Sequence, residues 1–332
     1  GAAPPDAGEE SSGLRLEAIE STSHLPYFDL SLLNLSTSID FDCILHLGGP
    51  LVSKRIHQFV ISQAAEHIVV ADHPDRQDSV HRVTTRIECD VTIFARTISA
   101  SLPKSQTALP EHPLVATNRA IGKVLAEALD TVNDLCEPFI PRIIAREIVP
   151  EHSLVIASSL SIRDFDMYAP TGPSPAYITC NRGASGIDGT LATAIGVAYG
   201  RKRPTTLIIG DLAMLHDLNS LALLKTRDLP PTTIVVINNG GGAIFSLLPV
   251  ADLATTPVEQ GAGPDTFEKL FLQGHDLRFE AAAKMFDLEY QNPKSADDFR
   301  RIYRAAARHE RSTLIELTFD WRESRRIRRQ LQ

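Results

Sequence analysis

Two short polar stretches each close an apolar run of strand-forming residues: Gly210-Asp211 after residues 205–209, and Asn238-Asn239 with Gly240, Gly241 and Gly242 after residues 233–237. Between them Leu215, Leu218, Leu221, Ala222 and Leu224 recur at helical spacing, which predicts a strand, a crossover helix and a parallel strand. Right-handed crossovers bring both strand C-termini to one sheet edge, so Asp211 and Asn239 converge there although they are far apart in the chain. A carboxylate, an amide oxygen and the carbonyls of a glycine-rich turn form an oxygen-only donor set suited to a hard cation such as Mg²⁺. Mg²⁺ commonly carries phosphate, and free N–H groups at helix starts, with close backbone approach at glycine, suit phosphate oxygens. Either stretch alone reads as an ordinary strand-ending turn.

The elements that position these residues are α/β units throughout. Residues 43–47 predict a strand, Gly48-Gly49-Pro50 a turn, and a helix begins near Ser53; a second strand covers residues 67–71, and residues 91–95 are expected to close that first sheet. The turn GGPLVSKR lacks the GxxxxGK[ST] spacing of a phosphate loop, and GxGxxG is absent. What remains is Lys54-Arg55 on the first helical turn, which reads either as a solvated pair or as cations for a carboxylated ligand. Residues 100–113, with three prolines, mark a domain boundary. Helical patterns follow over 114–135 and 140–149, then a strand over 154–157, ending in the hydroxyl-rich turn Ser158-Ser159 with Arg163 just beyond. A strand over 177–179 leads to Gly183, Gly186 and Gly189, which feed a small-residue helix from Thr190. Closing helix, strand, helix and strand are expected over 278–285, 288–290, 297–307 and 313–318. His216 and Asp217 are assigned structural roles, and Asn238 is assigned to tying down its turn. The basic end WRESRRIRRQLQ reads as a frayed, solvated helix.

A chain of 332 residues, 43% hydrophobic, is long enough for about two domains. Its net charge of −8 argues against general binding to nucleic acid or an anionic membrane, and no apolar run reaches transmembrane length. Cys43, Cys89, Cys136 and Cys180 are widely spaced without CxxC, as expected of reduced packing residues. The start, GAAPPDAGEESSG, has linker composition and lacks the apolar core of a signal peptide.

Gly-Asp, a helical crossover and Asn-Asn together resemble the cofactor signature of thiamine-diphosphate enzymes. That resemblance implies that Asp211, the Asn239 side chain and the Gly241 carbonyl hold Mg²⁺ against the diphosphate, and that an apolar wedge beneath the cofactor is supplied by Ile187; a buried loop anchor is the other reading of Ile187. The stretches RGASGIDG, GDLAMLHDLN, NNGGGAIFSLLP, GGPLVSKR and SLSIRDFDMY resemble the MenD family, 2-succinyl-5-enolpyruvyl-6-hydroxy-3-cyclohexene-1-carboxylate synthases of menaquinone and phylloquinone synthesis. The likeness runs from about Phe41 to the C-terminus and accounts for Leu212, where the wider motif has glycine; Ser158 departs from the family's usual asparagine. HPDRQDSVHRVTTRIECD looks most like the plant and algal versions within the fused plastid protein PHYLLO, which implies a plastid location, or a cytoplasmic one for a bacterial chain.

The resemblance implies two parallel-sheet α/β domains, the C-terminal one a thiamine-diphosphate-binding fold: a linker-like start over 1–40, part of the central domain over 41–113, and the diphosphate-binding domain with its leading helices over 114–332. The implied reaction is decarboxylation of 2-oxoglutarate and addition of the resulting succinyl-semialdehyde carbanion to isochorismate. Arg163 and Ser159 are implied to hold the oxoglutarate-derived part, with Arg182 beside them and Lys54 and Arg55 reaching in from the other domain. Cofactor contacts carry over onto Ser185 and Ile187 in the glycine turn and onto Gly210, Asp211, Leu212 and Ala213 after the first strand. After the second they carry over onto Asn239, Gly241, Ile244, Phe245 and Leu248. The family's pyrimidine-binding domain, which supplies a catalytic glutamate, is expected in cis or in trans, the complete enzyme being a dimer or tetramer with its active site between subunits and the isolated chain inactive. A non-catalytic cofactor-binding paralogue and another thiamine-diphosphate 2-oxoacid enzyme are the competing readings; Arg163 and Arg182 favour a dicarboxylate substrate over small apolar oxoacids.

Overall fold

A computed structural model describes residues 25–35, 39–49, 51, 53–76, 78–101, 112–131, 133–172, 175, 177–181, 186–226, 228–253 and 267–332. They fall into two compact units that part between Val124 and Leu125. The expected boundary over 100–113 lies mostly outside the described residues, as do Arg182, Gly183 and Ser185.

In the first unit three parallel strands, β1 (Cys43–Leu47), β2 (Glu66–Ala71) and β3 (Thr85–Glu88), lie in the order β1-β2-β3. Ser53 caps the helix Lys54–Ser62, its side chain accepting from the Ile56 amide. The expected strand over 91–95 is instead a helix, Val91–Ser101. Its residues are β-branched and aromatic, but Asp90 accepts from the Ile93 amide at 2.7 Å and so satisfies an otherwise orphaned helix donor. Residues 85–88 take the sheet position.

The second unit is a six-stranded, wholly parallel sheet: β4 (Ser153–Ile156), β5 (Tyr177–Cys180), β6 (Thr205–Gly210), β7 (Thr232–Asn238), β8 (Glu289–Gln291) and β9 (Thr313–Thr318), in the order β5-β4-β6-β7-β9-β8. Every residue of β7 is buried, as expected of a central parallel strand covered on both faces. Helix Thr190–Arg201 packs through Leu191, Ala194 and Ile195 onto Leu207, Ile209, Ile234 and Val236 of β6 and β7. The chain runs from β4 outward to β5 and then returns past β4 to β6, so a topological switch point lies between β4 and β6, where α/β sheets place ligands. The crossover from β6 to β7 is broken into Asp211–His216 and Leu221–Thr226 by a short turn at Leu218–Ser220. There Asp217 accepts from the Ala192 amide at 2.8 Å and from Ser220 Oγ at 2.6 Å, the structural role expected of it.

The basic C-terminus is not a frayed, solvated helix. Trp321–Leu331 is capped by Asp320, which accepts from the Arg322 amide, and it buries Ser324 and Arg328. Two carboxylates far away in sequence compensate the Arg328 guanidinium, and a local charge pattern carries no sign of such partners.

His152 is buried between Thr206 Oγ1 at 3.2 Å and the Ala307 carbonyl at 2.7 Å. Burial holds its pKa below the ordinary imidazole value, against the raising effect of the carbonyl. The unfolded chain therefore takes up this proton first, and the associated stability is present above about pH 6.5 and lost as pH falls through that value. Replacing His152 with glutamine is expected to flatten the slope of unfolding free energy between pH 7 and 5 by at most about 1.4 kcal/mol per pH unit; an unchanged slope in denaturant titrations would contradict this.

Candidate cofactor site

At the C-terminal edge of the second sheet, β6 and β7 pair in parallel as far as Gly210 opposite Ile237, so Asp211 and Asn239 follow on adjacent strand tips. Asp211, 3% exposed, accepts through Oδ2 from the backbone amides of Asn239 at 3.1 Å and Gly241 at 2.9 Å. Its Oδ1 accepts from the Leu212 amide at 2.7 Å. Burial pushes this carboxyl above its usual range, and hydrogen bonds from the Leu212 and Gly241 amides oppose the shift.

The two asparagines have different surroundings. Asn238 is fully engaged: Nδ2 donates to Glu316 Oε1 at 2.7 Å and to the Leu277 carbonyl at 3.0 Å, and Oδ1 accepts from the Gly240 amide at 3.2 Å. It ties down the turn. Asn239, 8% exposed, donates from Nδ2 to Glu137 Oε1 at 3.2 Å, but its Oδ1 is buried without a hydrogen-bond partner. A buried polar atom left unpaired costs about 1–3 kcal/mol, and an amide oxygen is a ligand type that a hard cation accepts. The third oxygen expected, the Gly241 carbonyl, accepts from the Ala243 amide at 2.9 Å and keeps its second lone pair. Asp211, Asn239 and Gly241 thus fit a divalent cation of the Mg²⁺ class. Among the described residues no cluster of three His, Cys, Asp or Glu side chains forms a metal site.

Comparison with known proteins places the chain among thiamine pyrophosphate enzymes. Residues 163–317 match the family described as thiamine pyrophosphate enzyme, C-terminal TPP binding domain, and residues 16–156 match the middle domain of thiamine pyrophosphate enzymes. The 2-succinyl-5-enolpyruvyl-6-hydroxy-3-cyclohexene-1-carboxylate synthase of Rubrobacter xylanophilus is 41% identical over 87% of the chain and 48% of its own length. Those of Salinibacter ruber and Chlorobium phaeobacteroides are 36% and 37% identical over 97% of the chain, and 53% and 54% of theirs. The chain belongs to the MenD family. It spans about half the length of the relatives it matches. The X-ray structure of an enzyme from Mycobacterium smegmatis described as thiamin diphosphate-dependent superposes with a TM-score of 0.57 at 16% identity, over 83% of this chain and 48% of that one, a likeness of fold. The cofactor of this MenD chain is thiamine diphosphate, with Mg²⁺ as its metal.

The other residues singled out from the MenD motifs are placed as follows. Gly210 ends β6, with Leu212 half-buried and Ala213 buried in the helix that begins at Asp211. Ile187 is half-buried against the same apolar cluster as Ala213 and Leu191. Ile244, Phe245 and Leu248 lie on or next to the turn Ala243–Leu247; Ile244 is half-buried, while Phe245 and Leu248 are 41% and 47% exposed. Ser159 and Arg163 share the β4 tip, on the edge that carries Asp211. Ser159 has φ +70° and ψ −132°, a backbone state that costs a non-glycine residue about 1–3 kcal/mol. Exposed Arg163 donates from Nη1 to the Ser159 carbonyl at 2.7 Å, closing that turn. In the first unit Arg55 is engaged by Asp29, which also accepts from Ser53 Oγ, whereas Lys54 is exposed.

Three residues at the site went unmarked in the sequence. His275 brings Nε2 to 3.4 Å from Asp211 Oδ2, while its backbone amide donates to the Gly240 carbonyl. Glu137 and Glu316 support Asn239 and Asn238 from 102 and 78 residues away. No local pattern marks any of them, because their relevance arises from long-range packing.

The turn itself sets a steric test. Gly241 has φ +139°, and a Cβ there would collide with the Leu272 carbonyl, whereas a Cβ at Gly210 meets nothing within 4 Å. Gly241→Ala is expected to destabilise the chain by more than about 2 kcal/mol and Gly210→Ala by about 1 kcal/mol or less. Comparable melting temperatures for the two variants would refute the packing described for residues 272–275.

Proposed function

We propose that this chain carries the diphosphate-binding half of a SEPHCHC synthase site, with Asp211, Asn239 Oδ1 and the Gly241 carbonyl holding Mg²⁺ on the cofactor's diphosphate. The observation that carries the reading is the buried, unpartnered side-chain Oδ1 of Asn239, the residue whose backbone amide donates to the buried Asp211 carboxylate. When bound, thiamine diphosphate supplies an electron sink for loss of CO₂ from a 2-oxo acid. Ile187 supports the cofactor from beneath, Ser185 and the residues Gly210, Leu212 and Ala213 contact it, and Ile244, Phe245 and Leu248 form an apolar wall that excludes water. Arg163 and Ser159 bind the far carboxylate of 2-oxoglutarate, with Arg182 beside them. Lys54 and Arg55 are cations for a substrate carboxylate; in the case of Arg55 this requires exchange of its Asp29 partner for that carboxylate. The reading includes a pyrimidine-binding domain, in cis or in trans, and a homo-oligomeric complete enzyme. Location follows source: plastid for a plant or algal chain, cytoplasm for a bacterial one.

Calorimetric titration with thiamine diphosphate and Mg²⁺ tests the cofactor half of this reading. Wild-type chain is expected to bind, and Asp211→Ala or Asn239→Ala to bind about 10- to 150-fold more weakly, equivalent to roughly 1.5–3 kcal/mol for a charge-assisted contact; absence of binding by wild type would sink the assignment. The substrate half is tested on chain supplied with a pyrimidine-binding domain. Arg163→Met is expected to raise KM for 2-oxoglutarate by a similar factor while sparing a monocarboxylate such as 2-oxobutyrate, and an equal effect on both substrates removes Arg163 from that role.

A further inference from the structure

We propose that Glu137 is a positioning residue for the cation site, held in place by Arg328 from the last helix; the proposal rests on the cofactor reading above. An amide has one donating arm and one accepting arm, whereas a carboxylate only accepts. Glu137 Oε1 stands 3.2 Å from Asn239 Nδ2, and the opposite amide orientation would set oxygen against oxygen. The carboxylate therefore selects the orientation in which Asn239 Oδ1 points away from it, into the buried position where that oxygen has no partner.

Glu137 is itself fixed. It is 0% exposed, and its Oε2 accepts from Arg328 Nη2 at 2.7 Å. Arg328, 2% exposed, also donates through Nε to Asp164 Oδ1 at 3.1 Å and through Nη2 to Asp164 Oδ2. The turn Glu137–Phe139, the helix Leu160–Tyr168 and the helix Trp321–Leu331 are thereby joined behind Asn239. The Glu137 carboxylate, held by Arg328, thus stands on the donating side of the Asn239 amide. An acceptor in that place polarises the amide and increases the pull of Oδ1 on a cation. Burial pushes the Asp164 carboxyl upward, against the opposing pull of Arg328 and Arg163.

The variant that separates positioning from mere support is Glu137→Gln in the full chain. Glutamine is nearly isosteric and can accept from Nδ2 or donate to Oδ1, so Asn239 gains two orientations; the substitution also leaves Asp164 and Arg328 paired one to one. Melting temperature in EDTA is expected to be equal or higher, while the Mg²⁺ concentration needed for thiamine diphosphate binding, read by calorimetry, rises at least about 10-fold. The double variant Glu137→Gln with Asn239→Asp, in which residue 239 offers an oxygen along both arms, is expected to recover most of the lost Mg²⁺ affinity. Unchanged Mg²⁺ dependence in Glu137→Gln overturns the proposal and leaves the cofactor assignment standing, whatever the melting temperature. Failure of the double variant to recover also overturns it, and no binding by wild type removes both readings.

Discussion

The Asp211 carboxylate is the interaction on which the second unit's site depends. Buried at the tip of β6, it gathers the amides of Leu212, Asn239 and Gly241 and so locks two strand ends and a glycine turn into one body. A lone carboxylate in such a place is costly, and the upward push on its pKa expresses that cost. The backbone donors offset part of it, and a divalent cation on the remaining lone pairs offsets more. The features that make this edge expensive to fold without a ligand are the same ones that make it selective for a hard cation.

Asn238 and Asn239 divide the work between structure and binding. Asn238 spends both ends of its amide within the protein, on Glu316, the Leu277 carbonyl and the Gly240 amide. Asn239 spends only the nitrogen end, on Glu137. Adjacent identical residues thus take different roles because Asn238 is the last residue of the strand and Asn239 the first beyond it, and each meets a different acid, Glu316 or Glu137.

Function in the first unit is tied less closely to its described geometry. Lys54 and Arg55 open a capped helix at the C-terminal end of β1, the place where α/β sheets present ligand-binding groups. Arg55 is already committed to buried Asp29. A substrate carboxylate there has to compete with a protein one.

Much of this was legible in the chain alone. Continuous apolar runs bounded by polar turns marked β1, β2, β4, β6, β7 and β9, and the handedness of crossovers was enough to bring Asp211 to Asn239, since both are general properties of parallel sheets. The segment beginning at Val91 was misread because strand propensity is weaker than a cap and a tertiary neighbour. The C-terminal helix was misread because nothing near Arg328 in sequence reveals Glu137 or Asp164. Local residue type and order determined which groups were candidates for chemistry. Only the folded arrangement decided which asparagine kept an oxygen free, because that depends on carboxylates delivered from more than 70 residues away, and long-range pairing leaves no periodic trace in the sequence.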